Sequence, residues 1–267
     1  ITIPEGKTLT LDLNGQTLTN ASSHTIVNQG TLTILDSAGG GVVDVVTHGK
    51  AALYNKGAIP EISGGTFTRS KEAGTTEGGN GNSWYTVYNA GTIEKITGGT
   101  FENSGTFSSM LVNGWNNPGP AVQGYIGTIS GGTFTGGQIT VKNDDYGELT
   151  ITGGNFTQPG ENRYAVYNAN TATISGGTFT AESTVVGSDY FAGGANTGKL
   201  TISKGTFTSE SSGTAISMGA GADLTLTGGT FQTQGDGSSY VISLAETATA
   251  EISGGSFPGA EAARVVN

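Results

Sequence analysis

Apolar and polar residues alternate along this chain in short, repeated bursts. At the start, Ile1 and Ile3, then Leu9, Leu11 and Leu13, are separated by Thr and Asp. Period-two alternation predicts a strand with one buried face. Farther on, glycine cuts the alternation into pieces. In Ile174-Ser175-Gly176-Gly177-Thr178-Phe179-Thr180, Ile174 and Phe179 point inward, the Ser and Thr residues point outward, and the two glycines turn the chain. Clear copies begin at Ile62, Ile96, Ile129, Ile151, Ile202, Leu226 and Ile252, a fainter one at Leu13 and a stretched one at Ile34. Ten units thus recur at spacings of 21 to 34 residues. A strand ahead of the glycine motif, such as Ala165-Val166-Tyr167-Asn168, completes a unit of three short strands.

A unit this short cannot close a core alone, but it can when stacked on copies of itself about 4.8 Å apart. The pattern therefore predicts a parallel β-helix of about ten coils, residues 1–267 forming a single solenoid domain. Helices are not expected, because no stretch repeats apolar residues at i, i+3, i+4 and i+7 over three turns. One inner column is expected to run Leu13, Ile34, Ile62, Ile96 and onward to Ile252. A second runs from Leu18 to Phe67, Phe101, Phe134, Phe156, Phe179, Phe207, Phe231 and Phe257. These phenylalanines alternate with threonine and are read as core.

A third column is polar: Asn28, Asn55, Asn89, Asn113, Asn143 and Asn168. Each precedes a turn, whose left-handed conformation Asn tolerates. Stacked amides can also bond to the copies above and below. The column fades after Asn168, where Asn196 and then Gly219 or Leu244 stand near the equivalent place.

Composition narrows the function. The 47 glycines sit at fixed offsets, so they are turn residues of an ordered repeat. No cysteine is present, which removes disulfides and thiolate metal sites. The two histidines, His24 and His48, are too few for a His-rich metal site. A net charge of −10 makes nucleic acid and anionic membrane poor partners. No run of 18 apolar residues is present, so no membrane insertion by this segment is expected. The chain opens inside the pattern, at Ile1-Thr2-Ile3-Pro4, and reads as one segment of a longer protein.

The phrases Ile1 to Gly15 and Thr25 to Ser37, followed by serial Ile-Ser-Gly-Gly-Thr-Phe-Thr units, resemble the repeat-bearing surface proteins of Gram-positive, often gut-dwelling, bacteria. Their fold is similar to the right-handed parallel β-helix of the pectate-lyase-like superfamily, which also uses asparagine ladders. The resemblance implies a right-handed coil and a secreted or cell-surface location. It says little about activity, because the motif residues are those that build the coil.

Departures from regularity are where binding is expected. Two long loops, Arg69 to Ser83 and Gly114 to Gly127, flank the strand column that carries the asparagines. The outward positions one residue before each Asn read Val27, Tyr54, Tyr88, Val112, Lys142 and Tyr167. Tyr54 and Tyr88 are expected to stack. With Trp84, Tyr85, Trp115 and Tyr125 they form a candidate exposed aromatic face for glycan or a host surface protein. The alternative is a carbohydrate-active enzyme domain, a polysaccharide lyase or glycoside hydrolase acting on acidic polysaccharide. It would rest on Asp144 and Asp145 beside Lys142, with Glu161 and Arg163 one coil on. Calcium held by Asp144 or Asp145 is the one cofactor considered. Other acids, including Asp36 and Asp44, are read as isolated and solvated. The expected reading is a monomeric, non-catalytic adhesive module.

Overall fold

Each unit buries one side of its strands, and the surface that fits that side is the equivalent side of the next unit. The computed structural model describes residues 1–47, 49–70, 85–105, 108–115, 121–160, 164–188, 198–211, 213–234, 240–258 and the backbone of 265–266. His48, Trp84, Glu161, Arg163 and Asn196 lie outside the described residues.

The chain forms a right-handed parallel β-helix with three strand positions per coil. Among the described residues, one sheet of eleven strands runs from Thr2–Ile3 through Ile26–Asn28, Leu53–Asn55, Val87–Asn89 and Leu111–Asn113 to Val265–Val266. The other two strand positions share a sheet of seventeen strands, because they merge in Thr171–Ala181 and Lys199–Ser209. About eight turns are complete, slightly fewer than the ten units counted in the sequence. The two end units leave one side uncovered, and Leu9 and Ile252 are exposed there.

The glycine pair has two distinct duties. Gly177 has φ +101°, which an L side chain rarely adopts. A Cβ on Gly176 would lie 2.2 Å from the carbonyl oxygen of Thr152 in the coil before, so this glycine permits close backbone approach. The chain bends here without leaving the sheet, with the register shifting between Ile174 and Thr178.

The isoleucine column runs in register from Ile34 to Ile252. Its first member is Leu11, not Leu13 as expected, since Leu11 pairs with Ile34. Leu13 lies beyond the strand and fills space left by missing side chains, its Cβ being 2.5 Å from where a Cβ of Gly41 would stand. The phenylalanine rings from Phe67 to Phe231 stack with centroids 4.7 to 4.9 Å apart, the spacing of the strands themselves.

The asparagine column is a buried hydrogen-bonded ladder. Each amide donates to the Oδ1 of the next, at 2.7 to 2.8 Å, from Asn28 to Asn168. The turn-conformation role expected for these residues is not what they do: Asn14 is the one non-glycine residue with positive φ among those described. They sit at strand ends and act through their amides. Beyond Asn168 the register places Ser188, Met218 and Leu244 in the column, so Met218 stands where Gly219 was expected.

Candidate functional site

The outer face of the eleven-stranded sheet is built on the residues that precede the ladder asparagines. Tyr54 and Tyr88 are register neighbours. Their rings stack 5.0 Å apart and 10° from parallel, as the spacing predicts. Tyr85 stands edge-on to Tyr88 at 5.6 Å and 61°. Trp115 lies beyond it, 6.2 Å from Tyr85. Its backbone bonds in both directions to Val122, a local antiparallel bridge that pins this residue to the body.

The structure therefore brings Tyr54, Tyr85, Tyr88 and Trp115 into one continuous band. It does not bring Tyr125 there. Tyr125 belongs to strand Gly124–Ile129 of the other sheet, paired with Thr92 and Glu148. The stretch read as a loop is already strand at Gly124. Trp84 is outside the described residues.

The band is also more covered than expected. Tyr88 is 6% exposed, Val112 0% and Tyr167 2%, although all three point away from the core. A second ring lies over each of the two tyrosines. Tyr164 meets Tyr167 edge-on at 5.7 Å and 64°, repeating the Tyr85–Tyr88 arrangement. Tyr-x-x-Tyr at 85/88 and 164/167 is the sequence signal of this layer, and it passed unread. Tyr54, Tyr85 and Trp115 are half-buried.

Cations border the band. Lys56 Nζ lies 5.0 Å from the centre of the Tyr54 ring, and Lys142 Nζ lies 5.7 Å from that of Trp115, both within cation–π reach. Lys142 also pairs with Asp144 at 2.7 Å, and Asp144 Oδ1 accepts the Asp145 N–H at 3.0 Å. Of the acids of the enzyme reading, Asp144 thus lies at the band and is buried, with Asp145 next to it, and Glu161 lies outside the described residues. Burial, and then the nearby Asp144, pushes the Tyr85 hydroxyl well above the usual phenol range. Burial does the same at Tyr88, reinforced by Tyr54 and Asp144. Among the described residues, no three His, Cys, Asp or Glu side chains stand together as a metal cluster.

His24, unremarkable in the sequence, closes the other end. Its ring lies 5.1 Å from Tyr54, and its Nδ1 accepts the Ala51 N–H at 2.9 Å. Partial burial, with Lys50, Arg69 and Lys56 nearby, lowers its pKa to about 4. Arg69 is itself buried, its Nη1 donating to the carbonyls of Lys50 and Tyr85.

Asp36 and Asp44 are not solvated acids. Asp36 accepts the N–H groups of Gly15 at 2.8 Å and Gly41 at 2.7 Å. Asp44 accepts the N–H and hydroxyl of Ser70 and is 8% exposed. Each fastens neighbouring coils at a turn, where unpaired backbone N–H groups need an acceptor.

No family model, no curated protein and no solved structure matches this chain.

Proposed function

We propose that this chain is a non-catalytic, adhesin-like repeat module of a bacterial surface protein, and that its aromatic band takes a glycan or a host surface protein. The observation that carries the reading is the band of half-buried Tyr54, Tyr85 and Trp115, which still reach the surface, joined through the buried ring of Tyr88 and flanked by Lys56 and Lys142. Rings held by a hydrogen-bonded solenoid lose little freedom on binding, so their contact area converts efficiently into affinity. The surface location rests on the resemblance of the repeat.

The enzymatic alternative has less support. Lys142 and Asp144 are each other's partner at 2.7 Å. The adjacent Tyr85 and Tyr88 hydroxyls hold their protons more firmly than free phenols, the opposite of what a general base needs.

The test is a glycan array probed with the whole chain and with Trp115→Ala and Tyr54→Ala. Binding by the unaltered chain that weakens in both variants, at unchanged circular dichroism, supports the reading. Binding untouched by either substitution removes the band from it.

A further inference from the structure

Away from the band, two tyrosines stand out on neighbouring coils: Tyr125 is 42% exposed and Tyr146 39% exposed. Gly124, the residue before Tyr125, donates its N–H to the Tyr146 carbonyl at 3.1 Å. Every other described residue in the register column of Tyr125 is alanine, threonine or charged. An aromatic ring is the exception there.

The ring of Tyr125 also has an unusual bed. A Cβ on Gly127, two residues along the same strand, would lie 3.1 Å from the Tyr125 Cε1 and 3.2 Å from its hydroxyl oxygen. The ring therefore lies along its own strand over the glycine. Resting on backbone, such a ring turns one face outward as a platform. A side chain at 127 would lift it off.

The polar surroundings define what fits that face. Glu148 is the register neighbour of Tyr125 on one side, and the backbone of Glu94 lies against Gly127 on the other. Both glutamates are exposed, and Asp145 precedes Tyr146. Lys95 stands one position farther along, opposite Thr128, and Lys142 is paired with Asp144. A rim richer in carboxylates than in cations accepts hydrogen bonds from hydroxyls and repels carboxylate or sulfate groups.

We propose that Tyr125, lying over Gly127, is a stacking platform for a neutral pyranose, with Glu148 and Glu94 accepting its hydroxyl hydrogens. This site is centred on the other sheet, beyond the turn that carries Asp144 and Asp145 at the edge of the band, and rests on the reading of the chain as a glycan-binding module. It names the sugar chemistry: uncharged hexopyranose units of a polysaccharide, not uronates.

The test is affinity electrophoresis of the whole chain in gels containing cello-oligosaccharides or manno-oligosaccharides, with polygalacturonate as the acidic counterpart. The expected result is retardation by a neutral glycan, weakened about tenfold in Tyr125→Ala and preserved in Tyr125→Phe. Glu148→Gln is expected to weaken neutral binding and to relax the rejection of polygalacturonate. Neutral binding that survives Tyr125→Ala but falls in Trp115→Ala overturns this site and leaves the band standing. Polygalacturonate retained more tightly than the neutral glycans overturns the sugar class. No retention by any of these glycans overturns this site and leaves the band with the host-protein form of the proposed function.

Discussion

The side-chain amide of Asn89 donates to the Oδ1 of Asn113 at 2.7 Å, and both residues are fully buried. This bond is one rung of a ladder that passes through the solenoid beneath the candidate band. It joins the coils that carry Tyr88 and Trp115, so the geometry of the outer face depends on it.

Asn113 accepts from Asn89 and donates to Asn143 Oδ1 at 2.8 Å and to the Glu148 carbonyl at 3.0 Å. Asn113→Ala strands these groups away from water, where each orphaned group costs about 1–3 kcal/mol. The expected loss is roughly 3 kcal/mol or more, read from denaturant unfolding. Asn168→Ala, at the ladder's end, removes one amide rung where Asn113→Ala removes two, its other bonds going to the Lys199 and Asn170 carbonyls at 3.0 and 3.3 Å, and should cost somewhat less. Equal effects at both positions would mean that the ladder is not a cooperative element.

Much of this was legible in the chain. Period-two alternation fixed which face of each strand is buried, and the recurring motif fixed the stacking, so the phenylalanines from Phe67 on and the asparagines from Asn28 to Asn168 are legible in register, although Val43, which stands between Leu18 and Phe67, is not. What escaped depends on contacts between coils. Leu11 and Leu13 have the same character in the alternation, and only the room above Gly41 and Gly65 decides between them. Tyr88 points outward, as its parity requires, yet it is buried because Tyr85 folds over it. Closeness in sequence to Trp115 suggests that Tyr125 joins the band, whereas the strand at Gly124–Ile129 carries it to the other sheet. Parity tells inside from outside; it does not say what covers the outside.

The two glycines of the motif are expected to fail differently. Gly177→Ala puts an L residue at φ +101°, with its Cβ 3.1 Å from the Phe179 ring, and a strained conformation of this kind costs about 1–3 kcal/mol. Gly176→Ala drives a methyl group to 2.2 Å from the Thr152 carbonyl oxygen, a backbone atom that cannot swing aside. The second substitution should lower the unfolding midpoint more than the first. The reverse order would show that the conformational demand, not the close approach, governs this turn.

The phenylalanine column sets a gradient from centre to end. Phe156 is 1% exposed and stacks at 4.7 Å on Phe134 and on Phe179. Phe156→Ala should cost about 3–5 kcal/mol through lost burial and an unfilled cavity. Phe257 has one described neighbour in the column, Phe231, at 5.6 Å, and is half-buried. Its replacement by alanine should cost less than half as much, since water already reaches the ring. Comparing the two variants by chemical denaturation checks the gradient, and equal losses would refute it.

His24 gives the stability a pH dependence with a defined sign. Its pKa falls from an ordinary 6.5 to about 4 in the folded chain, chiefly through burial and then through Lys50, Arg69 and Lys56. The unfolded chain therefore takes up a proton on this ring at higher pH than the folded one. Stability from the neutral ring is fully present above about pH 6.5 and is lost as pH falls through about 4. Protonation also takes the lone pair that accepts the Ala51 N–H, so acid should loosen the coil beside Tyr54. NMR titration of the His24 ring should give a midpoint near 4. In thermal unfolding, His24→Gln should flatten the fall in midpoint between pH 6.5 and 4 while costing some stability at neutral pH. A ring that titrates at its ordinary value, or a variant with the same pH slope as the parent chain, would refute this account of His24.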